Sequence, residues 1–120
     1  EPIVAVDTVR KLQQQVTEIH VEEAVTGYML DIIEHVRTNR AVRLGGSPRA
    51  SLALYRCAQA RAAIHGRDYV LPDDIKELAP NVLSRRVLVT PDARLRGTQA
   101  EDIVESALEE VRVPLGGGGA

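Results

Sequence analysis

Leu44-Gly45-Gly46-Ser47-Pro48-Arg49-Ala50 opens a long apolar segment, and its reading organises the rest of the chain. Gly45 and Gly46 allow a sharp turn, Ser47 is a good N-cap, and Pro48 suits the first helical position. The four predict a helix N-terminus with Arg49 in its first turn. Amide groups at that end have no intrahelical partner, and the helix dipole makes it positive, so a cation there is electrostatically out of place. A phosphate resolves the conflict, because a helix N-terminus and a guanidinium both favour it. On local grounds an ion pair between Arg49 and a nearby Asp or Glu stays open as the alternative.

The helix opened by Ser47 is expected to run to about His65 and is apolar nearly all round. Ala50, Ala53, Cys57, Ala60 and Ile64 share one line, whose small residues predict close approach of a neighbouring helix and a central position. Cys57 on that line is expected to be buried, and Gly66 to be the C-cap glycine. Arg56 lies on nearly the same side as Arg49 and reads as a solvated or salt-bridged arginine.

Upstream, residues 1–6 read as a lead-in. Asp7 or Thr8 caps a first helix with a narrow apolar stripe (Val9, Leu12, Val16, Ile19), which places it on the surface of the bundle. His20 and Val21 make a turn. A second helix is expected from about Glu22 to Arg40, its buried face carried by Ala24/Val25, Tyr28/Met29, Ile32/Ile33 and Val36.

Downstream, Asp68 to Leu71 is extended, and Pro72-Asp73-Asp74-Ile75 starts a fourth helix that Pro80 is expected to interrupt. A short helix over Asn81–Arg86 follows. Val87-Leu88-Val89 is expected to be a strand paired with Tyr69 to Leu71. Thr90-Pro91-Asp92 reads as a turn and Arg94 to Gly97 as a polar loop. Thr98-Gln99-Ala100-Glu101 has capping-box spacing for a last helix with Ile103, Val104, Ala107, Leu108 and Val111 inside. The expected fold class is all-α, a compact bundle of about five to six helices with at most a short two-stranded ribbon. It would span residues 7–114, followed by a flexible Gly-rich tail over 115–120, and the cut-looking ends suggest a domain of a longer protein.

Composition narrows the function classes. The 120 residues include three Tyr but no Phe or Trp, so the core must be aliphatic, which argues against a base-stacking nucleic-acid module. A net charge of −2 supplies no basic field for nucleic acid or an anionic membrane. Neither a membrane-length apolar run nor a signal-peptide pattern is present. Cys57 is the only cysteine, which excludes an internal disulfide and suits a cytoplasmic location. His20, His35 and His65 are scattered without metal-ligand spacing, so no metal site is expected. The pairs Glu22/Glu23, Asp73/Asp74 and Glu109/Glu110 read as solvated helix charges. No phosphate-cradling GxxxxGK[ST] occurs, nor a nucleophile elbow or kinase motif. The chain by itself therefore reads as no enzyme, with no catalytic residue and no cofactor of its own.

The ordered series Leu44-Gly45-Gly46-Ser47-Pro48-Arg49-Ala50-Ser51-Leu52-Ala53-Leu54, Gly66-Arg67-Asp68-Tyr69-Val70-Leu71-Pro72-Asp73-Asp74-Ile75, Leu78-Ala79-Pro80-Asn81-Val82-Leu83-Ser84-Arg85-Arg86-Val87 and Val111-Arg112-Val113-Pro114 resembles the helical lid subdomain of MoxR-family AAA+ ATPases. The resemblance covers roughly Val6 to Pro114. It implies a lid over ATP and Mg held in a separate α/β core domain, with ATP hydrolysis by the full-length protein, usually as a hexamer. Arg49 matches the family's second-sensor arginine. Implied partners are the core domain, neighbouring subunits, and clients such as von Willebrand A-domain proteins that need remodelling or maturation; nucleic acid and membrane are not among them. Three positions depart from the family pattern. Gly46 stands where Ala is common, Arg85 where His is frequent, and Leu71 where a Thr or Ser cap is frequent, so the fourth helix is expected to begin less firmly. Arg86, which matches, is expected to pair with an acid of the fourth helix. Two other classes remain as alternatives from the residues: a small helical nucleic-acid-binding module, disfavoured by the charge, and a protein-docking bundle without a nucleotide role.

Overall fold

The computed structural model describes residues 6–45 and 48–114. In chain order the elements are α1 (Val6–Thr17), α2 (Glu23–Arg37), β1 (Val42–Gly45), α3 (Pro48–Ile64), α4 (Pro72–Ser84), β2 (Val87–Val89), α5 (Pro91–Leu95) and α6 (Ala100–Glu110). The expected helical bundle with a short ribbon is thus the fold. Residues 1–5, 46–47 and 115–120, which include the expected Gly-rich tail and the expected lead-in except Val6, lie outside the described residues; Val6 is the first residue of α1, so Asp7 and Thr8 stand inside that helix and not before it as caps.

α2 follows the helical period closely: Val25, Tyr28, Met29, Ile32, Ile33 and Val36 are buried, whereas Ala24 is exposed. It stops at Arg37, short of Arg40: the Thr38 amide still bonds the Glu34 carbonyl (3.0 Å), which Thr38 Oγ1 shares (2.9 Å), but the Asn39 amide bonds only three residues back, to the Val36 carbonyl (3.2 Å), and the α-helical ladder ends there. Asn39 Oδ1 then accepts from the Ala41 amide (2.8 Å), and the early exit leaves Val42–Gly45 free to form β1.

β1 pairs antiparallel with β2, in the register Val42↔Val89, Leu44↔Leu88 and Gly45↔Val87, with an irregularity between Val42 and Leu44. This replaces the expected pairing of β2 with Tyr69–Leu71. The reason is helix length. α4 is continuous through Pro80 and carries the chain about 20 Å from Leu71 at 1.5 Å per residue. Arg85 and Arg86 alone cannot bring it back. Tyr69 instead makes an isolated parallel bridge with His20, in which the His20 amide donates to the Asp68 carbonyl (2.9 Å) and the Val70 amide to the His20 carbonyl (2.9 Å).

Pro80 thus neither ends α4 nor starts a separate helix at Asn81. Its missing N–H leaves the carbonyl of Lys76 without a helical partner, but Lys76 is exposed, where water can serve. Ala79 and Leu83, both buried, keep the helix continuous across the gap. Beyond β2, the expected turn and polar loop form the one-turn helix α5, because Thr90 Oγ1 accepts from the Ala93 amide (3.2 Å) with Pro91 at the first position. α6 starts one residue later than the Thr98/Glu101 spacing suggests: Gln99 is the N-cap, its amide donating to Asp102 Oδ2 (2.9 Å). Ile103, Val104 and Ala107 are its buried face, and His35 Nε2 on α2 lies 2.6 Å from Glu110 Oε2.

α3 packs most extensively on α4, and also meets α1 and α2. Its buried line is Ala50, Leu54, Ala58 and Ala62, with Gln59 beside it. Of the line expected from the sequence only Ala50 is buried: Ala53 and Ala60 are half-buried, Cys57 is exposed, and Ile64 is 82% exposed. Close approach through alanines is real, but along the i, i+4 row next to the expected one. One flank of α3 faces solvent, so the helix is not covered all round. Gln59 Nε2 donates to the Ile19 carbonyl (2.9 Å) just after α1, and its Oε1 accepts from Arg56 (3.2 Å). α3 ends in a Schellman motif: Gly66 has φ +74°, its amide bonds the Ala63 carbonyl (3.0 Å), and the Arg67 amide bonds the Ala62 carbonyl (2.9 Å).

That turn delivers Arg67 to Asp74, the most consequential departure from the sequence reading. Asp74 is not a solvated helix charge but fully buried, at 0% exposure. Arg67 grips it with two parallel bonds (Nη1–Oδ2 2.8 Å, Nη2–Oδ1 2.7 Å), Arg61 Nη1 donates to Oδ1 (2.5 Å), and the Leu71 amide donates to Oδ2 (2.8 Å). The last bond firms the start of α4 without a hydroxyl cap at Leu71. Burial pushes the Asp74 carboxyl toward higher pKa, but the bonds from Arg67, Leu71 and Arg61 outweigh it and hold the group below the usual carboxylate range.

Three outcomes are expected. Asp74→Ala leaves two partly buried guanidiniums without their anion, and urea unfolding should show a loss of about 3 kcal/mol. Because the folded-state pKa is lowered, Asp74 contributes stability that is present above the unfolded value of about 3.9 and lost as pH falls through the folded one. This acid-dependent part should be missing from the unfolding profile of Asp74→Asn. Pro80→Ala restores the bond to Lys76 and should raise stability by about 1 kcal/mol in the same measurement.

Candidate functional site

The site expected from the sequence lies where β1 runs into α3. Gly45 is the last residue of a strand, not part of a free loop, and its pairing with Val87 pins the chain just before the helix. Gly46 and Ser47, the expected turn and N-cap, lie outside the described residues. Pro48 occupies the first helical position and is exposed. Ala50 has 0% exposure and so fixes the rotation of α3. Its neighbour Arg49, about 100° round the helix, is exposed.

The electrostatics at this point are unusual within the chain. α1, α2, α4, α5 and α6 each carry an acid in the first turn; α3 carries none, and has Arg49 instead. Among the described residues no carboxylate is within ion-pair distance of Arg49, although Asp74, Glu34, Asp92 and Glu110 all engage basic groups. The helix tip therefore concentrates positive potential from two sources, the positive end of the helix dipole and a guanidinium.

Other residues singled out in the sequence are placed elsewhere. Arg56 is exposed and bonded to Gln59. Arg86 Nη1 donates to the Val82 carbonyl (3.1 Å), not to an acid of α4, because its side chain folds back over the last turn of that helix. His20 bridges to Tyr69, His35 meets Glu110, and His65 Nδ1 lies 2.8 Å from the Arg61 carbonyl. Among the described residues no three His, Cys, Asp or Glu side chains converge as metal ligands, and no helix is long and apolar enough to cross a membrane. The Arg61–Asp74–Arg67 cluster is the grouping that sequence reasoning missed. Its available signal was the position of Asp74 at the third residue of α4, where a carboxylate reaches back to the N-cap amide.

The pattern of the AAA lid domain family matches residues 34–107. The chain is 41% identical over 115 residues to the uncharacterized protein YeaC of Bacillus subtilis, covering 96% of this chain and 36% of that protein. It is 32% identical over 113 residues to the chaperone MoxR1 of Mycobacterium tuberculosis (87% of this chain, 30% of that one). To the protein MoxR of Methylorubrum extorquens it is 35% identical over 80 residues, 66% of this chain and 23% of that one. A crystal structure from Cytophaga hutchinsonii, described as a candidate ATPase, superposes with a TM-score of 0.88 at 28% identity, over 95% of this chain and 37% of that one. The chain thus spans about a third of the length of the curated relatives it matches.

If Arg49 were structural, removing it would weaken the fold. Its exposure and its clash with the helix dipole predict the opposite: Arg49→Ala should leave stability unchanged or raise it, by up to about 0.5 kcal/mol, in thermal or urea unfolding.

Proposed function

The chain belongs to the AAA lid domain family and is the lid of an AAA+ ATPase, and from that premise we propose that it covers a nucleotide held by the core domain, with Arg49 as its contact to the phosphates. The observation that carries this reading is the exposed Arg49 at a helix tip that lacks any acid in its first turn. A guanidinium there donates to phosphate oxygens in a planar fork, and the positive end of the α3 dipole adds to the same attraction. The cation is kept against the helix dipole because its counter-charge arrives with the ligand.

The coupling then follows from rigidity. α3 is held at its far end by the Asp74 cluster and at its near end by the β1–β2 ribbon. A force applied to Arg49 by the phosphates therefore moves the whole lid and not a side chain alone. ATP supplies the outer phosphates on which Arg49 bears, and their loss on hydrolysis releases part of that attraction. In the full-length protein, a hexamer on this reading, the resulting change of angle between lid and core drives remodelling or maturation of client proteins in the cytoplasm. Von Willebrand A-domain proteins are the proposed client class. The catalytic groups and the Mg site belong to the core domain, and this chain alone hydrolyses nothing.

Arg49→Ala in the full-length protein should lower ATP turnover by about ten- to a hundredfold, the loss of a charge-assisted contact of about 1.5–3 kcal/mol. Unchanged turnover and unchanged lid motion would remove Arg49 from this role. The isolated chain should show no micromolar ATP affinity in an NMR titration, since it holds only half of the site.

A further inference from the structure

Away from Arg49, the outer side of the β1–β2 ribbon meets α5 in an open groove of about 350 Å³, lined by Arg43, Leu88, Val89, Pro91, Arg94 and Leu95. Its aliphatic content is not accidental packing surface. The alternation along β2 turns Val87 inward and Leu88 outward, leaving Leu88 50% exposed. Leu95, at the end of α5, is 88% exposed. The lining contains two bases and no acid, in a chain whose net charge is −2. Asp92, the one acid of α5, is taken by Arg96 (3.2 Å). Among the described residues neither Arg43 nor Arg94 has a carboxylate within ion-pair distance.

We propose that this groove docks a segment of a partner polypeptide that carries carboxylates next to an aliphatic anchor side chain. The aliphatic residue would cover Leu88 and Leu95, and the carboxylates would pair with Arg43 and Arg94, each guanidinium donating two parallel hydrogen bonds to a carboxylate. Charge complementarity selects the occupant: a basic partner is repelled, and a neutral apolar one leaves both guanidiniums unmatched. A small cofactor does not suit the groove, because the lining offers no buried, fixed polar group to orient one. Nucleic acid does not suit it either, as no aromatic ring is present for a base to stack on. This docking is independent of the nucleotide reading and uses none of its residues.

The test is an NMR titration of the ¹⁵N-labelled intact chain with an eight-residue peptide alternating Glu and Leu. Control arms use Lys–Leu and Glu–Ser peptides of the same length, a single-stranded oligonucleotide, and phosphatidylglycerol vesicles. Saturable shifts centred on Leu88, Val89, Arg94 and Leu95 are expected with the Glu–Leu peptide alone. The double variant Arg43→Glu/Arg94→Glu should weaken that binding by about tenfold or more, and Leu95→Ser should weaken it as well, with the remaining spectrum unchanged in both. The proposal is overturned by absence of shifts, by equal response to Lys–Leu or Glu–Ser, by preference for the oligonucleotide or vesicles, or by wild-type affinity in the charge-reversed variant.

Discussion

A single buried carboxylate holds this fold together. Asp74 has no exposure to solvent, and its donors come from three places: Arg61 near the end of α3, Arg67 just past the turn, and the amide of Leu71 at the start of α4. A charge so placed is tolerable only when its lone pairs are filled. The two guanidiniums keep some contact with water, at 26% and 18% side-chain exposure, which limits their own desolvation cost. Tyr69 adds a further restraint, its ring lying 5.9 Å from the Arg67 guanidinium carbon. The requirement reaches backward into the chain. Arg67 arrives only because Gly66 takes a left-handed conformation, which lets α3 stop and the chain double back onto α4.

From this anchor the geometry of the other end of α3 follows. A helix of 17 residues extends about 25 Å, so the Asp74 cluster and Arg49 lie at opposite ends of one rigid rod. The alanines along its buried row let α4 pack closely and leave little freedom to roll. The ribbon supports the entry to α3, and α6 and α2 back the ribbon. An exposed arginine on such a rod is positioned by packing far from itself. This explains how a side chain with no bonded partner among the described residues can still be directed.

Much of this was readable in the chain of residues. The start of α3 at Pro48, its end at Gly66, the buried stripe of α2 and the inner face of α6 all follow from caps and periodicity. The candidate Arg49 was found from its clash with the helix dipole, and the ordered motifs pointed to the lid. Less was readable where two similar local options competed. On α3 both the Ala53/Cys57/Ala60 row and the Leu54/Ala58/Ala62 row are apolar, and nothing within the helix says which one neighbours will cover. Pro80 carries a strong local signal to stop, which the buried Ala79 and Leu83 override. Asp73 and Asp74 are adjacent and chemically alike, yet one is exposed and the other buried.

By itself the sequence determined the buried faces of α2 and α6, the two ends of α3, an aliphatic core without Phe or Trp, and the arginine at the tip of α3. Those features depend on interactions within one or two turns and on total composition, which are fixed before any long-range contact forms. Tertiary structure alone decided the partner of β2, the solvent-facing flank of α3 with Cys57 on it, and the burial of Asp74. Each of these depends on which surfaces meet after collapse. The pairing of Gly45 with Val87 joins residues far apart in the chain, and the clamp on Asp74 forms only when α3 and α4 lie side by side. Local spacing can nominate such contacts, but only the shared burial of both partners selects among them.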